Sequence, residues 1–193
     1  MITRIGLSIV PTTWGPFQCV AYAGTTGMEH IAFVRGDVRG GPPPLVRVHS
    51  ECLTGDVFGS ARCDCGPQLD LAMQRIADDE RGVLVYLRGH EGRGIGIGQK
   101  IRAYALQDDG LDTVDANLAL GLPIDSRSYQ DAAQILADLG VHAVQLMTNN
   151  PHKSESLRDH GITVVEQVPI HTEPTIHNAS YLLTKQQRMR HRA

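Results

Sequence analysis

Residues 68–96 read QLDLAMQRIADDERGVLVYLRGHEGRGIG, and this stretch sets the fold class. Its first part places apolar side chains at the three- and four-residue spacing of one helix face: Leu69, Ala72, Met73, Ile76 and Ala77. The period then changes, and Gly82–Leu87 is a short apolar run typical of a buried strand. A glycine-rich loop follows at residues 88–96. A helix, a buried strand and such a loop in succession predict an α/β arrangement.

The part of the chain before this stretch, residues 1–48, is predicted to be β-rich. Short apolar runs recur along it at Arg4–Val10, Phe17–Tyr22, Ile31–Val34 and Leu45–Val48. Proline and glycine separate these runs, most densely at residues 40–44, and such residues are typical of turns. We therefore expect several short strands joined by tight connections.

After residue 96 the sequence returns to alternating helices and strands. Helices are predicted at about Gly98–Gln107, Tyr129–Leu136, Lys153–Arg158 and Ala179–Arg190, and strands at Ala143–Met147 and Ile162–Glu166. The fold class is therefore α/β (α+β), with a mixed β-sheet core, flanking helices and a β-rich N-terminal part. We expect residues 1–193 to form a single domain.

The composition is that of an ordinary globular protein, with 41% hydrophobic and 20% charged residues. A net charge of −3 argues against a protein built to coat nucleic acid. No run approaches the roughly 20 apolar residues of a membrane span, and residues 1–10 lack a signal-peptide pattern. We therefore expect a cytoplasmic protein with no membrane and no nucleic acid partner, whose cysteines stay reduced.

Three cysteines, Cys52, Cys63 and Cys65, form a Cys-x(10)-Cys-x-Cys array in a polar segment. Thiolates are strong zinc ligands, and three protein ligands leave a fourth coordination position open for water. Two other interpretations stay open at this point. The cysteines pack as small core residues, or a histidine such as His49 completes a structural zinc site.

The middle of the chain is rich in a residue that pairs bidentately with phosphate: Arg47, Arg62, Arg88, Arg93, Arg102 and Arg127. The Gly92–Gly96 loop would let backbone amides approach an anion just before a helix. The alternative is a set of solvated surface arginines. Residues 148–151, Thr-Asn-Asn-Pro, similarly indicate either a polar contact to a ligand or a tight turn that begins a helix.

Taken together, these segments resemble the GTP cyclohydrolase II family over nearly the whole chain. The resemblance is carried by RVHSECLTGD at residues 47–56, RCDCG at 62–66, GHEGRGIG at 89–96, KIRAYALQ at 100–107 and DTVDAN at 112–117. It is the combination of these motifs that is specific.

The resemblance implies a role for each matching residue. Cys52, Cys63 and Cys65 would bind one zinc ion per subunit. The GTP site would be formed by Arg47, Val48, His49, Ser50, Glu51, Gln68, Glu91, Gly92, Arg93, Thr113, Thr148 and Lys153. Tyr104 would lie close to the opening ring, and Asp125 would accept a proton. Arg127 would attack the α-phosphate or, because guanidinium is almost never deprotonated, only stabilise phosphoryl charge.

The implied reaction converts GTP into 2,5-diamino-6-ribosylamino-4(3H)-pyrimidinone 5′-phosphate, formate and pyrophosphate, the first step of riboflavin biosynthesis. Mg²⁺ is expected on the GTP phosphates, and the protein is expected to be a homodimer. One alternative is a paralogue of secondary metabolism that retains the formyl group. Another is a non-catalytic, zinc-stabilised module that binds nucleotide or RNA through the basic run at residues 185–190.

Overall fold

The computed structural model of the protein describes residues 1–189, and within that range one seven-stranded sheet runs through the molecule. The strands are β1 (Thr3–Thr12), β2 (Gly15–Ala23), β3 (Glu29–Arg35), β4 (Leu45–Ser50), β5 (Gly82–Leu87), β6 (Ala143–Met147) and β7 (Thr163–Val168). Their spatial order is β1-β2-β3-β5-β4-β6-β7. The β1-β2-β3-β5 part is antiparallel, whereas β5, β4, β6 and β7 are parallel. The predicted mixed sheet with a β-rich N-terminal part is confirmed.

Eight helical segments connect and flank these strands within residues 1–189. They are α1 (Leu53–Asp56), α2 (Cys65–Asp78), α3 (Glu91–Gly94), α4 (Ile97–Asp108), α5 (Thr113–Ala119), α6 (Gln130–Asp138), α7 (Pro151–Asp159) and α8 (Ala179–Met189). The short segments α1, α3 and α5 were not predicted, because four to seven residues are too few to display a helical period. Arg190, the last residue of the predicted final helix, lies outside the described residues.

Helices cover the sheet on both faces. On one face α6 contributes Ala132, Ile135 and Leu136 to a core that also holds buried strand residues such as Val48 and Val85. The other face is covered mainly by α2, whose buried apolar residues pack with Phe17, Leu84 and Met147. Because β4 and β5 lie between two helical layers, their side chains are almost all buried, which explains the continuous apolar run of β5. In β4 the buried side chains include two polar ones, Arg47 and His49.

No helix within the described residues is long and apolar enough to cross a membrane.

Candidate active site

The parallel strands β5, β4 and β6 end at the same edge of the sheet, and three loops meet there. β4 lies between β5 and β6 in the sheet. The chain therefore moves from β4 to β5 on one side and then returns past β4 to β6 on the other side. Such a switch in strand order opens a crevice outside the carboxyl ends of the strands. Residues 51–52 follow β4, residues 88–94 follow β5, and residues 148–150 follow β6. Residues of all three loops line one pocket.

The predicted cysteine triad assembles on one wall of this pocket. The Sγ atoms of Cys52, Cys63 and Cys65 lie within 4.8 Å of one another, with 3.7 Å between those of Cys52 and Cys63. Cys52 precedes α1, and Cys65 begins α2. A Cβ atom built on Gly55 would lie 2.8 Å from Cys63 Sγ, so the absence of a side chain there makes room for the sulfur atoms. Hydrogen bonds from Cys63 and Cys65, together with the Lys100 ammonium, lower the pKa of the Cys52 thiol.

The donor set fits zinc with an open coordination position. Within residues 1–189, the group contains three sulfur atoms and no histidine. His49 is instead hydrogen-bonded through Nε2 to Asp56 at 3.0 Å and stacks on Tyr86. Burial and the Arg47 guanidinium lower the pKa of His49 against the raising effect of Asp56, so the ring is neutral. The alternative of a structural site completed by His49 is therefore not supported.

A buried lysine and glutamate stand beside the sulfur atoms. Lys100 Nζ lies 3.1 Å from Cys52 Sγ, 2.8 Å from Thr54 Oγ1 and 2.6 Å from Glu91 Oε1. Glu91 Oε2 accepts the backbone N–H of Leu53 at 2.6 Å. Burial by itself lowers the pKa of Lys100, but the hydrogen bond to Glu91 and the charge at Cys52 outweigh it and raise the pKa above its usual value. Lys100 is therefore a cation in this structure.

The floor of the pocket carries a chain of buried polar side chains. Arg47 donates to Gln68 Oε1 at 2.7 Å, and Gln68 donates to Asp64 Oδ2 at 2.6 Å. Arg47 also donates to the Met147 carbonyl at 2.9 Å. Within the described residues, Arg47 Nε and His49 Nδ1 are buried and have no hydrogen-bond partner. A donor and an acceptor left unsatisfied beside a pocket are suited to the polar edge of a ligand.

Another part of the pocket wall carries cations. Asp125 accepts two hydrogen bonds from Arg127, one from Nε at 2.8 Å and one from Nη2 at 2.5 Å, so the ion pair is bidentate. Burial lowers the pKa of Arg127, but the Asp125 hydrogen bonds outweigh it and raise the pKa, so the guanidinium stays protonated. Lys153 is buried and donates to the Val48 carbonyl at 2.7 Å. This wall is positively charged and suited to phosphate.

His90 and Ser50 lie beside this cationic wall. Ser50 Oγ is 3.1 Å from His90 Nδ1 and 3.4 Å from Arg127 NH1. Burial and the positive charges of Arg127 and Lys153 lower the pKa of His90 to about 3. The imidazole is therefore neutral at pH 7 and leaves the charge of this wall to arginine and lysine.

Tyr104 and Arg93 complete the rim. Tyr104 lies one turn after Lys100 in α4, and Lys100 Nζ is 5.6 Å from its ring centroid. Burial raises the pKa of Tyr104, so its phenol is protonated at neutral pH and is a hydrogen-bond donor. Arg93 has a φ of 64°, rare for a residue with a side chain, and its guanidinium lies 6.0 Å from the ring centroid of Tyr181.

Most residues predicted for the site line this pocket. They are Arg47, His49, Ser50, Glu51, Cys52, Cys63, Cys65, Gln68, Gly92, Arg93, Tyr104, Thr113, Arg127, Thr148 and Lys153. Val48, Glu91 and Asp125 are not among the lining residues. Val48 is a core residue whose carbonyl accepts a hydrogen bond from Lys153. Asp125 is hydrogen-bonded to Arg127, and its function as a proton acceptor stays a prediction. The oxygens of Glu91 are hydrogen-bonded to protein donors, so its contact with nucleotide stays a prediction.

Sequence reasoning missed several lining residues, namely Asp64, His90, Ile95, Lys100, Ala103, Gln107, Asn117 and Tyr181. All of these except Tyr181 lie inside the motifs that carried the resemblance, and that was the signal that could have identified them. Asn150 has two functions, since its side chain also caps α7 by accepting the His152 N–H at 3.0 Å. The predicted turn at residues 148–151 and the predicted polar lining are therefore both present.

A sequence model of the family described as GTP cyclohydrolase II matches residues 4–169 of the chain. Among curated relatives, the chain is 57% identical over 192 residues to the monofunctional riboflavin biosynthesis protein RIBA 3, chloroplastic, of Arabidopsis thaliana. It is 53% identical over 191 residues to the riboflavin biosynthesis protein RibBA of Nocardia farcinica. These matches cover 99% and 98% of this chain but 38% and 46% of the relatives, so it spans less than half of their length.

Among solved structures, a two-domain 3,4-dihydroxy-2-butanone 4-phosphate synthase from A. baumannii aligns with 89% of this chain and 40% of its own. The TM-score is 0.46 and the sequence identity 22%.

Proposed function

The chain belongs to the GTP cyclohydrolase II family, and from this membership we propose that it opens the imidazole ring of GTP. The products are 2,5-diamino-6-ribosylamino-4(3H)-pyrimidinone 5′-phosphate, formate and pyrophosphate, the first step of riboflavin biosynthesis. One observation carries the proposal. The cysteine triad and the protonated Arg127 line the same pocket, so one ligand can meet a metal at its base and cations at its phosphates.

Cys52, Cys63 and Cys65 would hold the zinc ion. Zinc, when bound, supplies an activated water for hydrolysis of the ring, because it lowers the pKa of its water to about 7. The protonated Tyr104 phenol is placed on this side of the pocket and donates a hydrogen bond to the opening ring. Arg47 Nε and His49 Nδ1 are the buried atoms suited to hold the polar edge of the base.

Arg127, Arg93 and Lys153 bind the triphosphate. Arg127 acts as a charge stabiliser at the α-phosphate and not as the attacking group, because Asp125 holds two of its nitrogen atoms and keeps it protonated. Pyrophosphate is a highly charged leaving group, and we propose Mg²⁺ on the β- and γ-phosphates to share that charge. Ser50, the last residue of β4, contacts both His90 and Arg127, and these contacts hold the Arg127 side chain in position.

The competing proposal of an RNA-binding module has less support. Its motive is the basic end of the final helix, but Arg188 is ion-paired with Asp112 and lies 2.9 Å from Asp115. Two carboxylates offset the charge that a phosphate backbone would need. The part of this run at Arg190 lies outside the described residues.

Three further points belong to the same proposal. Residues 1–193 are taken as a single domain, because all seven described strands join one sheet. A cytoplasmic location suits a cysteine triad that must stay reduced.

A homodimer is supported by large apolar side chains left exposed, including Val57, Phe58 and Ile101. Sedimentation equilibrium tests the dimer, and a monomer at working concentration would contradict it.

The decisive experiment incubates the zinc-loaded protein with GTP and Mg²⁺ and quantifies formate, pyrophosphate and the pyrimidine product by mass spectrometry. We expect equal amounts of formate and pyrophosphate and a deformylated monophosphate. A product that keeps the formyl group would support the secondary-metabolism alternative. Intact GTP would contradict the proposed function and favour a binding module.

A further inference from the structure

We propose that Lys100, held by Glu91, is a positioning residue for the metal site that hydrogen-bonds the Cys52 thiolate and sets the zinc affinity of the cysteine triad. The inference rests on the proposed function in one respect, namely that the triad binds zinc. It assigns Lys100 to the metal and not to the phosphates of the nucleotide, although the residue is a cation lining a pocket for a triphosphate.

The three donors of the Lys100 ammonium are all used within the protein. A lysine ammonium carries three N–H groups. Three acceptors surround Lys100 Nζ, namely Cys52 Sγ at 3.1 Å, Thr54 Oγ1 at 2.8 Å and Glu91 Oε1 at 2.6 Å. Lys100 is 7% exposed, so exchange of these partners for solvent is restricted. No donor is left for a phosphate oxygen, whereas the sulfur contact is already made.

Glu91 fixes both the lysine and the backbone that follows Cys52. Its Oε1 accepts from Lys100 Nζ, and its Oε2 accepts the N–H of Leu53 at 2.6 Å. Leu53 is the residue directly after Cys52, so the carboxylate ties the glycine-rich loop to the first zinc ligand. The Glu91 side chain is almost completely buried, and a buried carboxylate is tolerated where it is paired and hydrogen-bonded.

The contact between Lys100 and Cys52 has an electrostatic consequence for the metal site. Three thiolates and one Zn²⁺ ion would carry a net charge of −1, and two of the three cysteines, Cys52 and Cys63, are buried. The Lys100 ammonium, 3.1 Å from Cys52 Sγ, would offset that net charge when the metal is bound. Partners that orient metal ligands in this way typically contribute 10- to 100-fold to metal affinity.

The test measures zinc affinity without any turnover. Purified Lys100→Met protein is stripped of metal and titrated with zinc against a chromophoric chelator, and its cobalt form is examined for the thiolate-to-cobalt charge-transfer band. We expect zinc affinity to fall about 10- to 100-fold and the band to shift. Lys153→Met is the matched control, since Lys153 is a buried cation of the same pocket that bonds the Val48 carbonyl. It should keep zinc affinity and lose affinity for a non-hydrolysable GTP analogue.

Unchanged zinc affinity in Lys100→Met, with weakened binding of the GTP analogue, would overturn the proposal and assign Lys100 to the nucleotide. Circular dichroism checks the fold of each variant. If Lys100→Met does not fold, Glu91→Gln decides, because it keeps the shape of the side chain and removes the charge that holds Lys100. Glu91→Gln is expected to bind zinc more weakly, and wild-type affinity would overturn the proposal. Formate release by the wild-type protein tests the proposed function separately from either result.

Discussion

One neighbour, Asp125, fixes both the position and the charge of the Arg127 side chain. Asp125, two residues earlier, accepts two hydrogen bonds from it and raises the pKa of its guanidinium. Burial raises the pKa of Asp125 itself, but Arg127 outweighs this effect and keeps the carboxyl pKa below its usual value. Arg127 and Asp125 therefore form a bidentate ion pair in which both groups stay charged. A nucleophilic arginine would need to lose the proton that this pairing stabilises.

Replacement of Arg127 separates the two roles considered for it. Arg127→Ala should lower the rate of pyrophosphate release about 10²–10³-fold, the usual cost of removing a donor that stabilises transition-state charge. Arg127→Lys keeps the charge without the bidentate pairing and should retain part of that rate. The measurement is pyrophosphate release under single-turnover conditions. A covalent nucleotide adduct on Arg127, found by mass spectrometry of acid-quenched wild-type protein, would contradict the role of charge stabiliser.

Tyr104 is expected to act by donation from its phenol. Tyr104→Phe removes the hydroxyl and leaves the ring between Arg62 and Lys100, so fold and zinc content should be unchanged. Formate release should slow by about 10²–10⁴-fold, the range for loss of a positioned acid or base. Formate assays together with zinc analysis check this. Turnover equal to that of the wild type would remove Tyr104 from the mechanism.

His90 predicts a specific dependence of stability on pH. Its pKa is lowered to about 3 in the folded protein, against about 6.5 in an unfolded chain. Between these values the unfolded state binds a proton that the folded state does not. Its contribution to stability is therefore present above about pH 6.5 and is lost as pH falls toward 3.

Urea unfolding of the wild type and of His90→Gln over this pH range measures the effect. The wild type should lose more of its free energy of unfolding than the variant as the solution becomes more acidic. Parallel pH profiles of the two proteins would show that His90 titrates normally.

At the scale of elements, the connection from β4 to α2 does most to build the metal site. It brings Cys52 from the end of a strand and Cys65 from the start of a helix to within 4.8 Å, with Cys63 between them. Gly55 in α1 makes this possible, because a Cβ there would lie 2.8 Å from Cys63 Sγ and 3.2 Å from Cys52 Sγ. Real Cβ atoms essentially never approach a neighbour as closely as 2.8 Å, so a side chain would displace sulfur.

Gly55→Ala should therefore leave much of the protein without bound zinc when metal is supplied in equal amount. Gly98→Ala is the matched control, since Gly98 also lies in a helix and a Cβ there would meet nothing within 4 Å. That variant should keep its zinc and gain slightly in helix stability, by up to about 1 kcal/mol. Metal analysis after gel filtration and thermal unfolding check both. Full zinc content in Gly55→Ala would show that the loop adapts.

For the molecule as a whole, the order of strands decides where the site lies. The pocket opens outside the carboxyl ends of β5, β4 and β6, and the two hydrophobic cores lie away from it between the sheet and its helices. The cysteine sulfur atoms belong to neither core cluster. The fold is therefore expected to survive loss of the metal.

Cys63→Ser tests this separation of site and core. The variant should lose zinc and formate release while its circular dichroism spectrum and melting temperature stay close to those of the wild type. Cys19→Ala, in β2 opposite Phe33, is the control and should retain both zinc and turnover. Unfolding of Cys63→Ser would identify the site as a structural zinc centre.

The sequence by itself determined the strands, the longer helices and the group of three cysteines suited to a metal. Apolar periodicity is a local property, and Gly82–Leu87 is read as a buried strand because burial between two layers leaves no polar position in it. The three cysteines are likewise close in the chain, so their spacing alone indicates a metal site. The short segment α5 was not predicted, because its start is set by the capping residue Asp112 and it is too short to show a helical period of apolar residues.

Only the tertiary structure decided what each polar residue faces. Glu91, Lys100 and Cys52 are separated by up to 48 residues, yet they meet because parallel strands bring their loops to one edge of the sheet. Arg47 lies in β4 and Asn150 in the loop after β6, yet both line the same pocket. Hydrogen bonds, burial and electrostatic fields act through space, and sequence spacing carries no record of them. The sequence thus indicates the three candidate ligands, while the residues that contact them are decided by the tertiary structure.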